Sequence, residues 1–504
     1  MVKKLIKAWL APHKRTYSAV SHTYNNIRFL PVLIRRRARE AVHHLRRGSV
    51  PAEMPRQRPL VWRVPLPGVR DSRDLIEALS GRGLRVESGA NVVYVPPQDG
   101  LAELIPAVVK CYPPGTGFKI LKDFRAPEEA SYLRSDKSCL VRRSLMARPV
   151  GQVAVGNILF SLGLGARIWD VSVWQGEANT FTVFAVEHIV GRAPRFEQWC
   201  RFTETLEEAE AQGDIEILLP NWRKHSDFQP TDCRGNLVFH PPDSRLVYVD
   251  FQNFRVPQGA SALGAIAQRY SDSLHFGRGR PFRSRSYLYQ SIPGTTAGKR
   301  DISQRWRFIE AELLRAGITV QDRLLLDIGC SAGMMLHMGL AAGAKWGLGW
   351  DLPPVTRAAE KLLLAIGAGR FTLTPAVLDE SYDLAADIPK RFADDLNECV
   401  ILYLSVVNNL GIMQSLSRIP WRALVFEGHQ GQEVQAAADD LLARFGGNVE
   451  VISSTRRSDG DSKARPILIL MRTSPTTQDV ADRPALDASL DNARPRVASM
   501  ARVR

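Results

Sequence analysis

Residues 324–333 read LLLDIGCSAG, and this stretch decides the fold of the second half of the chain. Leu324, Leu325 and Leu326 make a strand that is apolar on both faces, as in the interior of a parallel sheet, and Asp327 closes it. Gly329 and Gly333 then open a helix whose first N–H groups face whatever lies above the strand end. Strand, glycine turn and helix in this order form a nucleotide-type cofactor turn. A second short apolar strand, WGLGWDL at 346–352, ends in another acid, Asp351, roughly twenty residues beyond the turn, where such folds hold a ribose.

Outward from this pair, the spacing predicts an amphipathic helix over 303–316 that leads into the first strand. After Asp351, helix and strand alternate: a helix over 354–366, then strands at 371–378, 400–404, 423–426, 449–453 and 467–471. The glycine spacing separates two cofactor classes. A dinucleotide fingerprint needs G-x-G-x-x-G, but Gly329 is followed by Ser331 and Gly333, with Met334 where the third glycine should fall, which disfavours NAD.

Asp327-x-Gly329-x-x-x-Gly333 followed by Asp351 resembles the class I S-adenosylmethionine-dependent methyltransferases, whose first motif is D/E-x-G-x-G-x-G and whose second strand ends in an acid. Ser331 stands where that motif has its middle glycine. The resemblance covers residues 300–473 and implies a seven-stranded Rossmann-like α/β domain with S-adenosyl-L-methionine as cofactor. It also implies that Asp327, Gly329 and Gly333 lie along the methionine and ribose part of the cofactor and that Asp351 takes the ribose hydroxyls. Methyl transfer is a displacement governed by in-line positioning, with a base where the acceptor carries a proton. Candidates at the carboxyl ends of later strands are Ser405, Asn408 and Asn409, and then Glu427 and His429, with His429 the best base by intrinsic pKa and Glu427 the next. No N/D-P-P-Y-type motif is present to point to amino groups of nucleic-acid bases.

In the middle of the chain, HSDFQPTDCRGNLVF begins at His225 and RLVYVDFQ at Arg245. A polar loop, a hairpin and an acid closing its second strand can place one carboxylate on a hydroxyl proton while Asn and another carboxylate hold Mg²⁺ on a nucleotide. The stretch resembles the catalytic half of protein-kinase-like phosphotransferases, which implies ATP and Mg²⁺, with Asn236 and Asp250 as the metal ligands. Asp227, in an H-x-D triplet nine positions before Asn236, and Asp232, four before it, are both candidates for the catalytic acid. Lys122 is the first candidate for the nucleotide-clamping lysine and Lys119 the second. The glycine loop is short and the helix after it lacks an evident Glu, so a degenerate, binding-only kinase fold is the alternative.

At 504 residues with 67 basic and 52 acidic side chains, the chain is a multidomain globular protein of net charge +15, which calls for an anionic partner. Residues 3–47 hold twelve Lys or Arg against one acid, Glu40, interspersed with Leu5, Trp9 and Phe29, a composition suited to an anionic membrane surface or to a solvated tail. Six scattered cysteines without C-x-x-C spacing indicate neither a zinc site nor a disulfide framework. The absence of a membrane-length apolar run points to the cytoplasm, with the basic arm offering a peripheral membrane contact.

The expected organisation is a basic arm (1–50), a linker with a small α+β unit (51–114), an α+β protein-kinase-like domain (115–271), a linker (272–300), the α/β methyltransferase domain (301–473) and a disordered tail (474–504). The pairing of activities resembles, in reversed domain order, bacterial bifunctional kinase-methyltransferases of surface polysaccharide synthesis, which implies a glycan or other small-molecule acceptor. A nucleic-acid-associated methyltransferase with the kinase-like fold as a binding module is the alternative. It has the net charge but no stacking aromatic cluster behind it.

Overall fold

The computed structural model describes residues 63–88, 92–98, 111–121, 149–217, 237–249, 254–255, 290–292, 300–429, 431–446, 449–457 and 465–472. In the N-terminal half, β1 (Arg63–Pro65), β2 (Glu87–Ser88), β3 (Val92–Val95), β4 (Thr116–Leu121), β5 (Ile168–Gln175) and β6 (Thr180–Glu187) form one sheet in the order β1-β5-β6-β4-β3-β2. All neighbours are antiparallel except β1 and β5. Helix α1 (Ser72–Ser80) starts at Asp71, whose carboxylate caps the amides of Arg73 and Asp74, and it buries Leu75 and Leu79 one turn apart. Helix α2 (Pro149–Ser161) is tied to β5 by Asn157, which donates to and accepts from the backbone of Ile168 at 2.9 Å each way. Helix α3 (Phe196–Ala211), a two-residue pair of β7 (Glu216–Ile217) with β10 (Phe254–Arg255), and the hairpin of β8 (Leu237–His240) and β9 (Arg245–Tyr248) also belong to this half.

The division expected at residue 115 falls inside this sheet. β3 is hydrogen-bonded to β4 from Val92↔Leu121 to Val95↔Phe118, and β1 to β5, so the stretch before residue 115 and the stretch after it share one sheet. A kinase-like identity for this half is not established by these elements. Lys122, Asp227, Asp232, Asn236 and Asp250 lie outside the described residues.

The C-terminal half is a Rossmann-like α/β domain. It follows helix α4 (Ile302–Arg315) with β11 (Leu324–Ile328), α5 (Met334–Ala341), β12 (Trp346–Asp351), α6 (Pro353–Ala365), β13 (Phe371–Pro375), β14 (Val400–Leu404), the short α7 (Val407–Leu410), β15 (Ala423–Glu427), α8 (Val434–Phe445), β16 (Val449–Arg457) and β17 (Arg465–Arg472). The sheet order is β13-β12-β11-β14-β15-β17-β16, parallel except for β17, which is antiparallel to both neighbours. Every residue of β11, β14 and β15 is buried, as strands covered on both faces require. The chain winds from β11 outward to β13 and then returns to β14 on the other side of β11. That reversal leaves a crevice at the carboxyl ends of β11 and β14, where open α/β sheets bind ligands.

The two halves pack against one another at the β13 edge. Arg167 is buried, donates to Glu360 of α6 at 3.1 Å, and stacks 4.7 Å from both the Trp169 and the Phe371 ring. Arg370 pairs with Asp170 at 3.2 Å, and Trp169 packs on Trp346. The first half thereby covers what would otherwise be an open sheet edge.

Candidate functional site

Asp327, the fourth residue of β11, is 2% exposed, and among the described residues its Oδ2 has no hydrogen-bond partner. Burial pushes its carboxyl up to about 7, against the pull of nearby Arg305 and with the help of Asp351. The turn after β11 is left-handed at Gly329 (φ 72°), Ser331 (φ 52°) and Gly333 (φ 73°). A Cβ on Gly329 would sit 2.4 Å from Cγ1 of Val406, and one on Gly333 would sit 2.8 Å from Cδ1 of Leu363. What approaches these glycines closely is therefore the protein itself: Val406 from the end of β14 and Leu363 from α6. Gly329→Ala combines a strained φ with that collision and is expected to cost about 2 kcal/mol of stability, read as a lowered urea midpoint.

Asp351 closes β12 and holds the turn in place. Its Oδ2 accepts the Ser331 amide at 2.8 Å and its Oδ1 the Leu352 amide at 2.7 Å, while burial raises its carboxyl above the ordinary range. The two acids expected to frame the cofactor thus converge with both glycines at the crevice between β11 and β14. These groups fit S-adenosylmethionine: among the described residues Oδ2 of Asp327 is a buried acceptor without a partner, and Asp351 is held at the strand end beside the turn.

Glu427 and His429 part company. Glu427, the last residue of β15, is 1% exposed and enclosed by Arg300, Arg305 and Ser405. Nη1 of Arg300 lies 3.1 Å from its Oε1, while Arg305 and the Ser405 hydroxyl both engage its Oε2. Both of its oxygens are engaged and it is 1% exposed, so in this structure Glu427 is the buried counter-ion of two arginines. His429 is exposed on the loop beyond β15, its amide donating to Gln432 at 3.2 Å. Asn408 and Asn409 lie in α7 at the end of β14.

Ser405, already a candidate from its place in sequence, is joined by three residues that escape a reading by motif: Arg305, Arg300 and Gln290. Ser405 carries a left-handed φ of 63° directly after β14. Arg305 lies on the buried face of α4 among Ile302, Trp306 and Ile309, where a charge breaking an apolar stripe signals a buried ion pair. Arg300 and Gln290 belong to the stretch expected to be a linker. Gln290 is 4% exposed and its Oε1 accepts the Met334 amide at the start of α5 at 3.0 Å, while Ser291 bonds Arg300 and Ile302. Residues 290–292 and Arg300, within the stretch expected to be a linker, thus touch the starts of α4 and α5 and the end of β15.

In the N-terminal half, Lys119 of β4 donates through Nζ to the Val249 carbonyl at 3.3 Å. Tyr94 Oη lies 2.6 Å from Nδ1 of His188, which follows β6. Among the described residues, no group of His, Cys, Asp and Glu is arranged to hold a metal, and no helix is long and apolar enough to cross a membrane.

No protein-family model matches the chain, and no curated protein is similar to it. Among solved structures it is similar to ribosomal protein L11 methylase from Lactobacillus delbrueckii subsp. bulgaricus, at 17% identity and a TM-score of 0.24, over 34% of this chain and 78% of that one. It is similar to magnesium protoporphyrin IX methyltransferase from Synechocystis PCC 6803 with bound SAH at 16% identity and a TM-score of 0.24, over 34% of this chain and 83% of that one. For the N-terminal domain of EvdMO1 in the presence of SAH and D-fucose, the identity is 15% and the TM-score 0.26, over 41% and 95% of the respective chains. These likenesses are distant, and it is the site itself that bears on function.

Proposed function

We propose that the C-terminal half is an S-adenosylmethionine-dependent methyltransferase. The observation that carries this reading is the placement of Asp351: at the end of β12, beside the glycine turn, with its oxygens fixed by the amides of Ser331 and Leu352. The bound cofactor supplies a sulfonium methyl group. The chain supplies position: Asp351 meets the ribose, Asp327 and the turn meet the amino-acid end, and the carboxyl ends of β14 and β15 face the acceptor. The acceptor is proposed to be a glycan or other small molecule, presented at an anionic surface that residues 1–50 help the protein reach. Incubating the protein with isotope-labelled S-adenosylmethionine and a cell extract, followed by mass spectrometry, should give a labelled product that depends on the protein. An extract that gains no label beyond the protein-free control contradicts the reading.

A second activity, binding of ATP with Mg²⁺ in the N-terminal half, is favoured by one contact. Lys119 reaches the carbonyl of Val249, the neighbour in sequence of Asp250, which makes Lys119 rather than Lys122 the better candidate for a phosphate clamp. Lys119→Met is then expected to weaken Mg²⁺-dependent ATP binding at least about tenfold, or about 1.4 kcal/mol, in fluorescence titration. Equal affinity in variant and wild type removes the clamp assignment.

A further inference from the structure

Two buried cations and three acids meet at the crevice, and they are unequally shared. Arg300 and Arg305 both engage Glu427, and Ser405 adds its hydroxyl to the same carboxylate. Asp351 is satisfied by two amides. Asp327 is left 2% exposed, with Oδ2 lacking a partner among the described residues. Among the described residues, the charged and titratable groups around it are Arg305 from α4, engaged with Glu427; Asp351 from β12, which repels a second negative charge; and the thiol of Cys330, which burial keeps protonated. The first amide of α5, another source of positive potential, is taken by Gln290. Among the described residues, the Asp327 side of the crevice is thus short of one cation.

Resting on the methyltransferase reading, we propose that Asp327 is protonated in the ligand-free protein and gives its proton to solvent when the ammonium-bearing amino-acid end of the cofactor binds. The balance is simple: the carboxylic acid loses H⁺ to water, and the carboxylate formed faces the incoming ammonium, so that the buried charge arrives together with its partner. A carboxyl pushed up to about 7 by burial makes this exchange measurable near neutral pH. Both the methyl donor and its thioether product carry the amino-acid end, so both should bind with proton release. The truncated thioether nucleoside 5′-methylthioadenosine lacks that end and should bind without it.

The test is calorimetric titration of the full chain with S-adenosylhomocysteine and with 5′-methylthioadenosine between about pH 5.5 and pH 7.5, each in two buffers of different ionisation enthalpy. For S-adenosylhomocysteine, affinity should rise by up to about tenfold per pH unit below pH 7, with a heat that depends on the buffer. For 5′-methylthioadenosine, affinity should be flat with pH and the heat independent of the buffer. In Asp327→Asn the pH dependence for S-adenosylhomocysteine should disappear. The wild-type comparison of the two ligands stands even if that variant fails to fold. Flat, buffer-independent binding of S-adenosylhomocysteine to the wild type, equal proton release with both ligands, or proton release that persists in Asp327→Asn would each overturn the proposal. Absence of binding by either ligand at every pH would overturn the cofactor reading and this inference with it.

Discussion

Asn in place of Asp327 is expected to make the ligand-free protein more stable than the wild type by about 3 kcal/mol at about pH 8. The wild-type carboxyl, pushed up to about 7 by burial, titrates near its ordinary value of about 3.9 once the chain unfolds. Between those values the folded protein holds a proton that the unfolded chain has lost. Stability therefore falls as the pH rises through this window and stays low above it. Three pH units at about 1.4 kcal/mol each set a ceiling of about 4 kcal/mol, and an Asn amide without a full set of partners offsets about 1 kcal/mol of that. Asn is neutral throughout, so the difference between variant and wild type should be small near pH 4 and reach its full size above about pH 7.

The difference must be read rather than the wild-type curve, because His337 of α5 acts in the opposite sense. Burial pushes its imidazole down to about 4, so its contribution is present above the ordinary value and lost as the pH falls toward 4. Urea unfolding at three pH values separates the two effects, since His337 is common to both proteins. Equal stability at about pH 8 would mean that the ionised Asp327 costs the fold nothing.

Glu427→Gln is expected to destabilise the C-terminal domain by about 3–5 kcal/mol, because it removes the carboxylate that the buried Arg300 and Arg305 share. Both guanidiniums are nearly inaccessible, at 4% and 1% exposure, so water cannot take the place of the carboxylate. Replacing all three groups together, as Arg300→Met, Arg305→Met and Glu427→Leu, should recover most of the loss, since a packed apolar cluster of similar volume needs no pairing. Urea titration of the single and triple variants gives both numbers. A single variant within about 0.5 kcal/mol of the wild type would show that the ion cluster is not what fixes Arg300 and α4 to β15.

The contrast between Asp351 and Glu427 explains how much of the site is legible in sequence. Both are acids closing a buried strand, and both invite a chemical role. Asp351 follows a glycine turn at a spacing that backbone geometry fixes, so its neighbours, the amides of Ser331 and Leu352, are implied by the local chain. The partners of Glu427 come from 122 and 127 residues earlier in the chain, and no local period carries that pairing.

The same reason governs the fold. The strands of the second half and helices α4 and α6 follow from apolar runs and helical spacing. The sheet of the first half joins β1 to β5 across more than a hundred residues, so the segment before residue 115 reads as a separate unit until its hydrogen bonds are seen. Gln290 and Arg300 sit in a stretch of polar composition that resembles a linker, and only their contacts with Met334 and Glu427 give them a place in the site.

The crevice between β11 and β14 is proposed to hold S-adenosylmethionine through Asp351 and the adjoining turn. Calorimetric titration of the wild type and of Asp351→Ala with S-adenosylmethionine at about pH 7.5 tests it most directly. The expected result is saturable, one-site binding to the wild type and at least about a hundredfold weaker binding, or about 2.7 kcal/mol, in the variant. No binding to the wild type, or equal affinity in the two proteins, would contradict it.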